Sequence, residues 1–253
     1  MKAFLLFLTL FSVTLWAQDS VPVGTILPVQ LNSSLQFNKA RAGQEISARL
    51  MQDAPLPGPH AKIPEGSRVV GHVVAIRPAS QSNATEMDLH FDAIVDHGRR
   101  LPILTNLRAL ASMMDVSDAQ LPDAGPDRGT SEANWTTHQI GGDIVYRPGQ
   151  VDRGDNVVGK SMFGTAVLAR VSANPEGHCR GAISDDDSPQ AFWIFSSDAC
   201  GIYDYPSLAI VHAGRTDPVG EIRLASTKKD LKIRAGSGLL LRVTGKANPH
   251  QIE

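Results

Sequence analysis

One segment of the sequence matches a motif whose chemistry is phosphate binding. Gly154-Asp-Asn-Val-Val-Gly-Lys-Ser161 fits the pattern G-x-x-x-x-G-K-[ST], in which backbone amides and a lysine hold phosphate groups. The motif works where it leaves a buried strand and enters a helix, because the helix N-terminus then faces the phosphates. The flanking residues, 148–153 and 162–167, have neither pattern. We therefore expect no nucleotide site, and the sequence indicates no cofactor.

A second motif offers a serine and a lysine. Ser226-Thr-Lys-Lys229 fits S-x-x-K, which penicillin-recognising enzymes carry at the start of a helix with further motifs downstream. Here it lies between two strand-like runs, 220–225 and 231–233, and no S-D-N or K-T-G sequence follows. The pattern predicts a polar hairpin turn, and no catalytic residue is indicated.

Acidic and histidine residues are present, but not at metal-ligand spacing. Asp185-Asp-Asp187 lacks the alternating oxygen ligands and the glycine of a calcium loop, so we expect a solvated turn. The eight histidines include no H-x-H or H-x-x-x-H pair, and the sequence favours no zinc site. The strand pattern includes His72 and His90, whereas the predicted turns include His60, His97 and His178.

The aromatic residues of the second half concentrate near position 200. Aromatic side chains supply large apolar area, and such a group forms core packing more often than a ligand platform. We interpret it as core and loop packing, and as the first region to examine for a small ligand. The group consists of Phe192, Trp193, Phe195, Tyr203 and Tyr205.

The first 17 residues have the pattern of a secretory signal peptide. Lys2 precedes an apolar run that ends at Ala17, and polar residues follow from Gln18. The run is shorter than the roughly 20 apolar residues that span a membrane, and no later run is long enough. We expect cleavage after Ala17 or Gln18 and a periplasmic or secreted protein. The alternatives are an uncleaved anchor and a buried first strand.

Cleavage removes one of the 24 basic residues and none of the 26 acidic ones, so the formal charge changes from −2 to −3. This balance gives no broad attraction to nucleic acid or to an anionic membrane surface.

Export also favours a disulfide between Cys179 and Cys200, the only cysteines. It would close a loop of 22 residues and contribute roughly 3 kcal/mol. Two buried thiols are the alternative.

One turn-and-strand unit occurs four times. Each copy has an apolar residue, two variable residues, a glycine and a strand-like run, because glycine permits the positive φ of a tight turn. The copies begin at Val21, Ala40, Ile63 and Ile233. The pattern predicts an all-β, mainly antiparallel fold, formed as a single barrel or sandwich-like domain. The predicted strands are 25–31, 45–50, 68–77, 86–95, 100–104, 165–171, 191–195, 207–212, 220–225 and 239–243.

The middle of the chain differs from this pattern. Leu107, Leu110, Ala111 and Met114 have helical spacing and predict a short helix over 106–114, before a long polar loop over 116–150. The predicted organisation is a signal peptide (1–17), an N-terminal β part (19–107), a helix and loop insertion (108–160), a C-terminal β part closing the same domain (161–245) and a tail (246–253).

The order of turns and strands over residues 23–102 resembles that of a known family. The matching segments are Gly24-Thr-Ile-Leu-Pro-Val29, Ile46-Ser-Ala-Arg-Leu50, Ile63-Pro-Glu-Gly-Ser67, Leu89-His-Phe-Asp-Ala-Ile-Val95 and Gly98-Arg-Arg-Leu-Pro102. They resemble the TrbI-like β-barrel domain of conjugation and type IV secretion systems. The resemblance implies a periplasmic barrel that assembles in a ring near the outer membrane, and it supplies no catalytic residues.

These observations together predict a non-enzymatic, exported cell-envelope protein that acts as a binding or assembly module. Its expected partner is another envelope protein or a second copy of itself. The alternative is a secreted hydrolase or carbohydrate-binding protein whose site is built from loops in residues 176–206. Such a site could combine Asp185-Asp-Asp187 with Trp193 or Tyr203, because sites of this kind converge only in the fold.

Overall fold

The computed structural model describes residues 20–79, 84–120, 138–140, 144–147, 150–153, 156–159, 192–195 and 199–246. It confirms the all-β, mainly antiparallel prediction. The elements are β1 (Ile26–Leu31), β2 (Leu35–Gln36), β3 (Glu45–Leu50), β4 (Ala54–Pro55), β5 (Lys62–Ile63), β6 (Arg68–Arg77), β7 (Thr85–Asp96), β8 (Arg99–Pro102), β9 (Leu104–Ala111), α1 (Met113–Gln120), β10 (His138–Ile140), β11 (Ile144–Arg147), β12 (Gln150–Arg153), β13 (Asn156–Gly159), β14 (Gly201–Tyr203), β15 (Leu208–Ile210), β16 (Ile222–Ser226), β17 (Lys232–Ile233) and β18 (Gly238–Gly245).

Ten of these strands form one large sheet. Its order is β14-β9-β18-β1-β3-β6-β7-β16-β15, with β8 also paired to β7. Only Ile103 separates β8 from β9, and its N–H donates to the carbonyl of Asp92 at 2.9 Å. One stretch of chain therefore runs from the partner of β7 to the partner of β18, which curls the sheet. The hydrogen-bonded order stays open, so the sheet is not a closed barrel.

The four turn-and-strand units form four neighbouring strands of this sheet. Gly24, Gly43, Gly66 and Gly236 all have positive φ, between 80° and 95°. The strands that follow them are β1, β3, β6 and β18, which stand side by side in the order β18-β1-β3-β6. The repeated unit is therefore the structural unit of the sheet's centre.

The sheet has apolar side chains on both faces of its β9–β18 part. We call the face that carries the larger core cluster, with Leu239 and Leu241, the inner face. Leu240 lies between them in sequence and belongs to a second cluster, with Phe195 and Tyr203, on the outer face. Because alternate residues of a strand point to opposite faces, β18 is buried on both sides.

The helix predicted over 106–114 is wrong. This segment is mostly β9, and α1 begins only at Met113. Leu107 and Leu110 both reach the inner core although they are three residues apart. The reason is a bulge, since Ala109 pairs with Leu240 and Leu107 with Leu241, which leaves Arg108 without a place in the β18 register. Because of this extra residue, two side chains on the same face of the strand are three positions apart in the sequence, as they would be on a helix.

Two other predictions in the second half need correction. Residues 192–195 form a tight turn, closed by hydrogen bonds between the backbones of Phe192 and Phe195 at 2.7 and 2.9 Å, and not a strand. Within 138–159, where a loop was expected to extend to residue 150, β10 to β13 form a four-stranded antiparallel sheet. The strand predicted at 165–171 lies outside the described residues.

The phosphate-motif match and the S-x-x-K match lie in ordinary strands and turns, as far as their residues are described. Residues 156–159 of the phosphate-motif match form β13, which pairs with β12 and is not the start of a helix. Ser226 ends β16 and its hydroxyl donates to the carbonyl of Lys228 at 2.8 Å, within a turn. The turn prediction is confirmed, but the hairpin is not, because β17 pairs with β2.

Candidate functional site

A polar stripe runs along the outer face of β7. Met87, Leu89 and Phe91 are buried in the inner core. The residues between and beside them therefore face outward, because side chains alternate along a strand. This outer set is Glu86, Asp88, His90 and Asp92.

A β-bulge sets the position of Asp92 in the stripe. Val70 on β6 pairs with Ala93 and the next residue, Gly71, pairs with Phe91, so Asp92 is the extra residue of β7. The alternation shifts after this point, and Ile94 joins the inner core. Bulges of this kind redirect side chains and are frequent beside functional sites.

Gly71 permits the close approach of the two strands at the bulge. A Cβ atom at this position would lie 1.9 Å from the carbonyl oxygen of His90 and 2.8 Å from the Cα of Phe91. No side chain fits between backbones at that distance. The site geometry therefore depends on a glycine in the middle of β6.

Three side chains meet beside the bulge. Nδ1 of His72 lies 2.8 Å from Oδ2 of Asp92. His72 pairs with His90 across β6 and β7, and their rings stand edge to face with centroids 5.8 Å apart. One nitrogen of each histidine and one oxygen of Asp92 all lie within 4.8 Å of one another. Within the described side chains, this is the one place where three such atoms come so close.

The surroundings of His90 favour the neutral form of its imidazole. Burial lowers the pKa of this imidazole, and the nearby His72 lowers it further. The charges of Asp92, Glu221 and Asp88 act in the opposite direction but do not cancel the effect of burial. A neutral imidazole offers a lone pair to a hydrogen-bond donor or a metal ion.

At the other end of the stripe, the carboxylates of Glu86 and Asp88 form ion pairs with arginines. Asp88 accepts hydrogen bonds from Arg77 and, at 2.8 Å, from Nε of Arg223. Arg77 also contacts Glu86 at 3.3 Å, and Arg223 contacts Glu221 at 2.6 Å. These carboxylates are already neutralised by guanidinium groups, so the histidine end is the part of the stripe that remains open to a ligand.

A shallow depression of about 210 Å³ adjoins the three side chains and opens to solvent. Its charged wall combines Glu45 on β3, which stands opposite His72, with Arg68 on β6 and Arg100 on β8. Arg68 lies 3.9 Å from Glu45, and both side chains are more than half exposed. Four neighbouring strands thus present both signs of charge on one rigid surface. The depression is lined by Gly43, Glu45, Arg68, Val70, Gly71, His72, Asp92 and Arg100.

Four of the five aromatic residues singled out from the sequence are buried in the core, and the fifth, Tyr205, is partly buried against it. Trp193 is 6% and Tyr203 1% exposed, and Phe195 packs edge to face against both rings. The backbone N–H of Trp193 donates to Gln52 at 2.9 Å. This agrees with the interpretation as core packing. Asp185 to Asp187 lie outside the described residues.

The remaining predicted site residues divide between buried and undescribed positions. Cys200 is 6% exposed and belongs to the inner core, and the described part of the chain contains no free cysteine. Cys179, Ala17 and Gln18 lie outside the described residues, so the disulfide and the cleavage site stay predictions. No described helix has the length and apolar character needed to cross a membrane.

Sequence reasoning missed the grouping of His72, His90 and Asp92. One signal was present, because His90 and Asp92 are two positions apart in a strand pattern and must share a face unless a bulge intervenes. The distance of His72 from them along the chain carries no such signal, since the pairing of β6 with β7 depends on two bulges. Comparison with known protein families, curated proteins and solved structures finds no match to this chain.

Proposed function

We propose that this chain is an exported, non-enzymatic cell-envelope protein that acts as a binding or assembly module. The observation that carries the proposal is the open, charged depression on β3, β6, β7 and β8. A surface formed by paired strands is rigid, and a rigid site loses little conformational entropy when it binds a partner. The signal-like pattern of residues 1–17 supports export.

The chemistry of the depression favours a polar segment of another envelope protein or of a second copy. Arg68 and Arg100 are exposed and can bind a carboxylate, and guanidinium groups do so with two parallel hydrogen bonds. Glu45 beside them can accept a hydrogen bond or bind a cationic group. The resemblance of residues 23–102 to TrbI-like domains supports assembly in the periplasm. That these residues form a TrbI-like domain is part of the proposal.

The alternative, a hydrolase or carbohydrate-binding protein, receives less support from the described residues. A sugar-binding platform needs an exposed aromatic face, whereas Trp193 and Tyr203 are buried. We also propose that Cys179 pairs with Cys200 in the oxidising compartment. The expected export supports this pairing, because disulfides form and persist in oxidising compartments.

We expect the mature chain to retain its partner from an envelope extract of its own cells, or to self-associate in analytical ultracentrifugation. Replacing both arginines, Arg68→Ser with Arg100→Ser, should weaken retention about tenfold, because arginines at the centre of an interface contribute much of its affinity. The matched control is Arg215→Ser with Arg234→Ser, two exposed arginines elsewhere, and it should bind as the wild type does.

Two results would contradict the proposal. A wild-type chain that stays strictly monomeric and retains nothing would remove the binding function. Equal retention by the wild type and by the Arg68→Ser, Arg100→Ser variant would show that the partner binds elsewhere. Circular dichroism of both variants is the check that the fold is intact.

A further inference from the structure

The structure assigns a new site for a divalent transition-metal ion, with His72, His90 and Asp92 as its three protein ligands. The proposal goes beyond the binding of an envelope partner, because metal binding belongs to the isolated chain. Its basis is the convergence of two imidazole nitrogens and one carboxylate oxygen within 4.8 Å on the outer face of β6 and β7.

The donor types match one class of metal ion. Imidazole nitrogen suits Zn²⁺, Cu²⁺, Ni²⁺ and Fe²⁺, whereas Mg²⁺ and Ca²⁺ prefer sites made of oxygen atoms alone. Two histidines and one carboxylate are a frequent protein set for zinc, with the fourth position left to water or another ligand. His72 and Asp92 line the open depression, which would give such a fourth ligand access from solvent.

The distances fit after small side-chain rotations. Ligand atoms bound to one tetrahedral zinc ion at 2.0–2.1 Å are about 3.3 Å apart. Nδ1 of His72 and Oδ2 of Asp92 are 2.8 Å apart and must separate by about 0.5 Å, while the widest pair, at up to 4.8 Å, must close. Rotation about the χ angles of two half-buried histidines covers this range without moving the backbone.

The backbone holds the three ligands in place. His72 and His90 are a directly opposed pair on adjacent strands. Asp92 is the bulged residue of β7, and its side chain is only 11% exposed. Gly71 allows the strands to approach at this bulge, where any Cβ would clash. Ligands on rigid strands are preorganised, which reduces the entropy that metal binding costs.

The charges around the ligands favour a cation at the histidine end. Glu45 stands opposite His72 on β3, and the negative charges of Glu221 and Asp88 act on His90. The cations nearby are Arg68, Arg100, Arg77 and Arg223. Arg68 contacts Glu45, and Arg223 contacts Glu221. Arg77 contacts both Glu86 and Asp88. The carboxylate of Asp92 therefore adds a negative charge to a nearly balanced surface.

The test is isothermal titration of the metal-free, untagged mature chain with ZnCl₂. We expect one Zn²⁺ per chain and no response to Mg²⁺ or Ca²⁺. Each of His72→Ala, His90→Ala and Asp92→Asn should weaken Zn²⁺ binding by at least about tenfold, because each removes one of three ligands. His97→Ala, which alters a side chain that is 90% exposed in a neighbouring turn, should leave the affinity unchanged.

Binding of Co²⁺ supplies a second readout that does not depend on stability. The wild type and His97→Ala should show the visible absorption of nitrogen-ligated Co²⁺, and His90→Ala should not. Failure of the wild type to bind Zn²⁺, or equal Zn²⁺ binding by His90→Ala and the wild type, would overturn the assignment. Neither result would bear on retention of an envelope partner, so the two proposals fail separately.

Discussion

Gly71→Ala should destabilise the protein by about 3 kcal/mol, at the upper end of the usual cost of overpacking. The added methyl group would lie 1.9 Å from the carbonyl oxygen of His90, so β6 and β7 must separate where their pairing is tightest. Separation also pulls His72 away from Asp92. Urea denaturation followed by circular dichroism measures the loss as a lower midpoint at unchanged slope.

Gly66→Ala is the matched control for this prediction. Gly66 has a positive φ of 86° but no heavy atom within 4 Å of an added Cβ. Its substitution should therefore cost only the backbone strain of a non-glycine residue, about 1 kcal/mol. If Gly71→Ala were as stable as Gly66→Ala, the close approach of β6 and β7 at the bulge would be wrong.

Trp193→Ala should destabilise the protein by about 3 kcal/mol, as expected for truncation of a large buried aromatic side chain. Trp193 is 6% exposed, and its ring packs over Gly238, where an added Cβ would lie 3.0 Å from it. The lost contacts join the turn at 192–195 to β18. Chemical denaturation of both proteins under the same conditions measures the difference.

Val23→Ala serves as the comparison, because Val23 is apolar but 68% exposed and should cost less than about 0.5 kcal/mol. The pair of variants also separates two functions for the aromatic residues. A sugar platform at Trp193 would lose ligand binding without loss of stability. That outcome would support the carbohydrate-binding alternative and contradict the packing described here.

Strands with one polar face were predictable from the sequence. The bounds of β3 and β6 agree with the prediction at both ends, because a turn glycine precedes each strand and apolar residues alternate with polar ones along much of it. The turn at Asp96-His-Gly98 was predictable for a related reason, since His97 and Gly98 take the positive φ that two-residue hairpins need. Local chemistry decides these features.

Features that depend on a distant partner were not predictable. Arg108 is an extra residue only relative to β18, which lies more than 100 positions further along the chain, and its bulge made β9 look helical. Asp92 is likewise an extra residue only relative to β6. The candidate site depends on such a bulge. The sequence therefore shows the residues His72, His90 and Asp92, but it does not show that they lie next to one another.

The depression beside His72 and Asp92 is the proposed binding surface in the cell. Photo-crosslinking tests it most directly, with a benzophenone amino acid introduced at Arg100 in the depression or at Arg234, an exposed arginine outside it. We expect a light-dependent adduct of higher mass from position 100 and none from position 234, with the adduct reduced by Arg68→Ser. Equal adducts from both positions, or none from position 100, would contradict it.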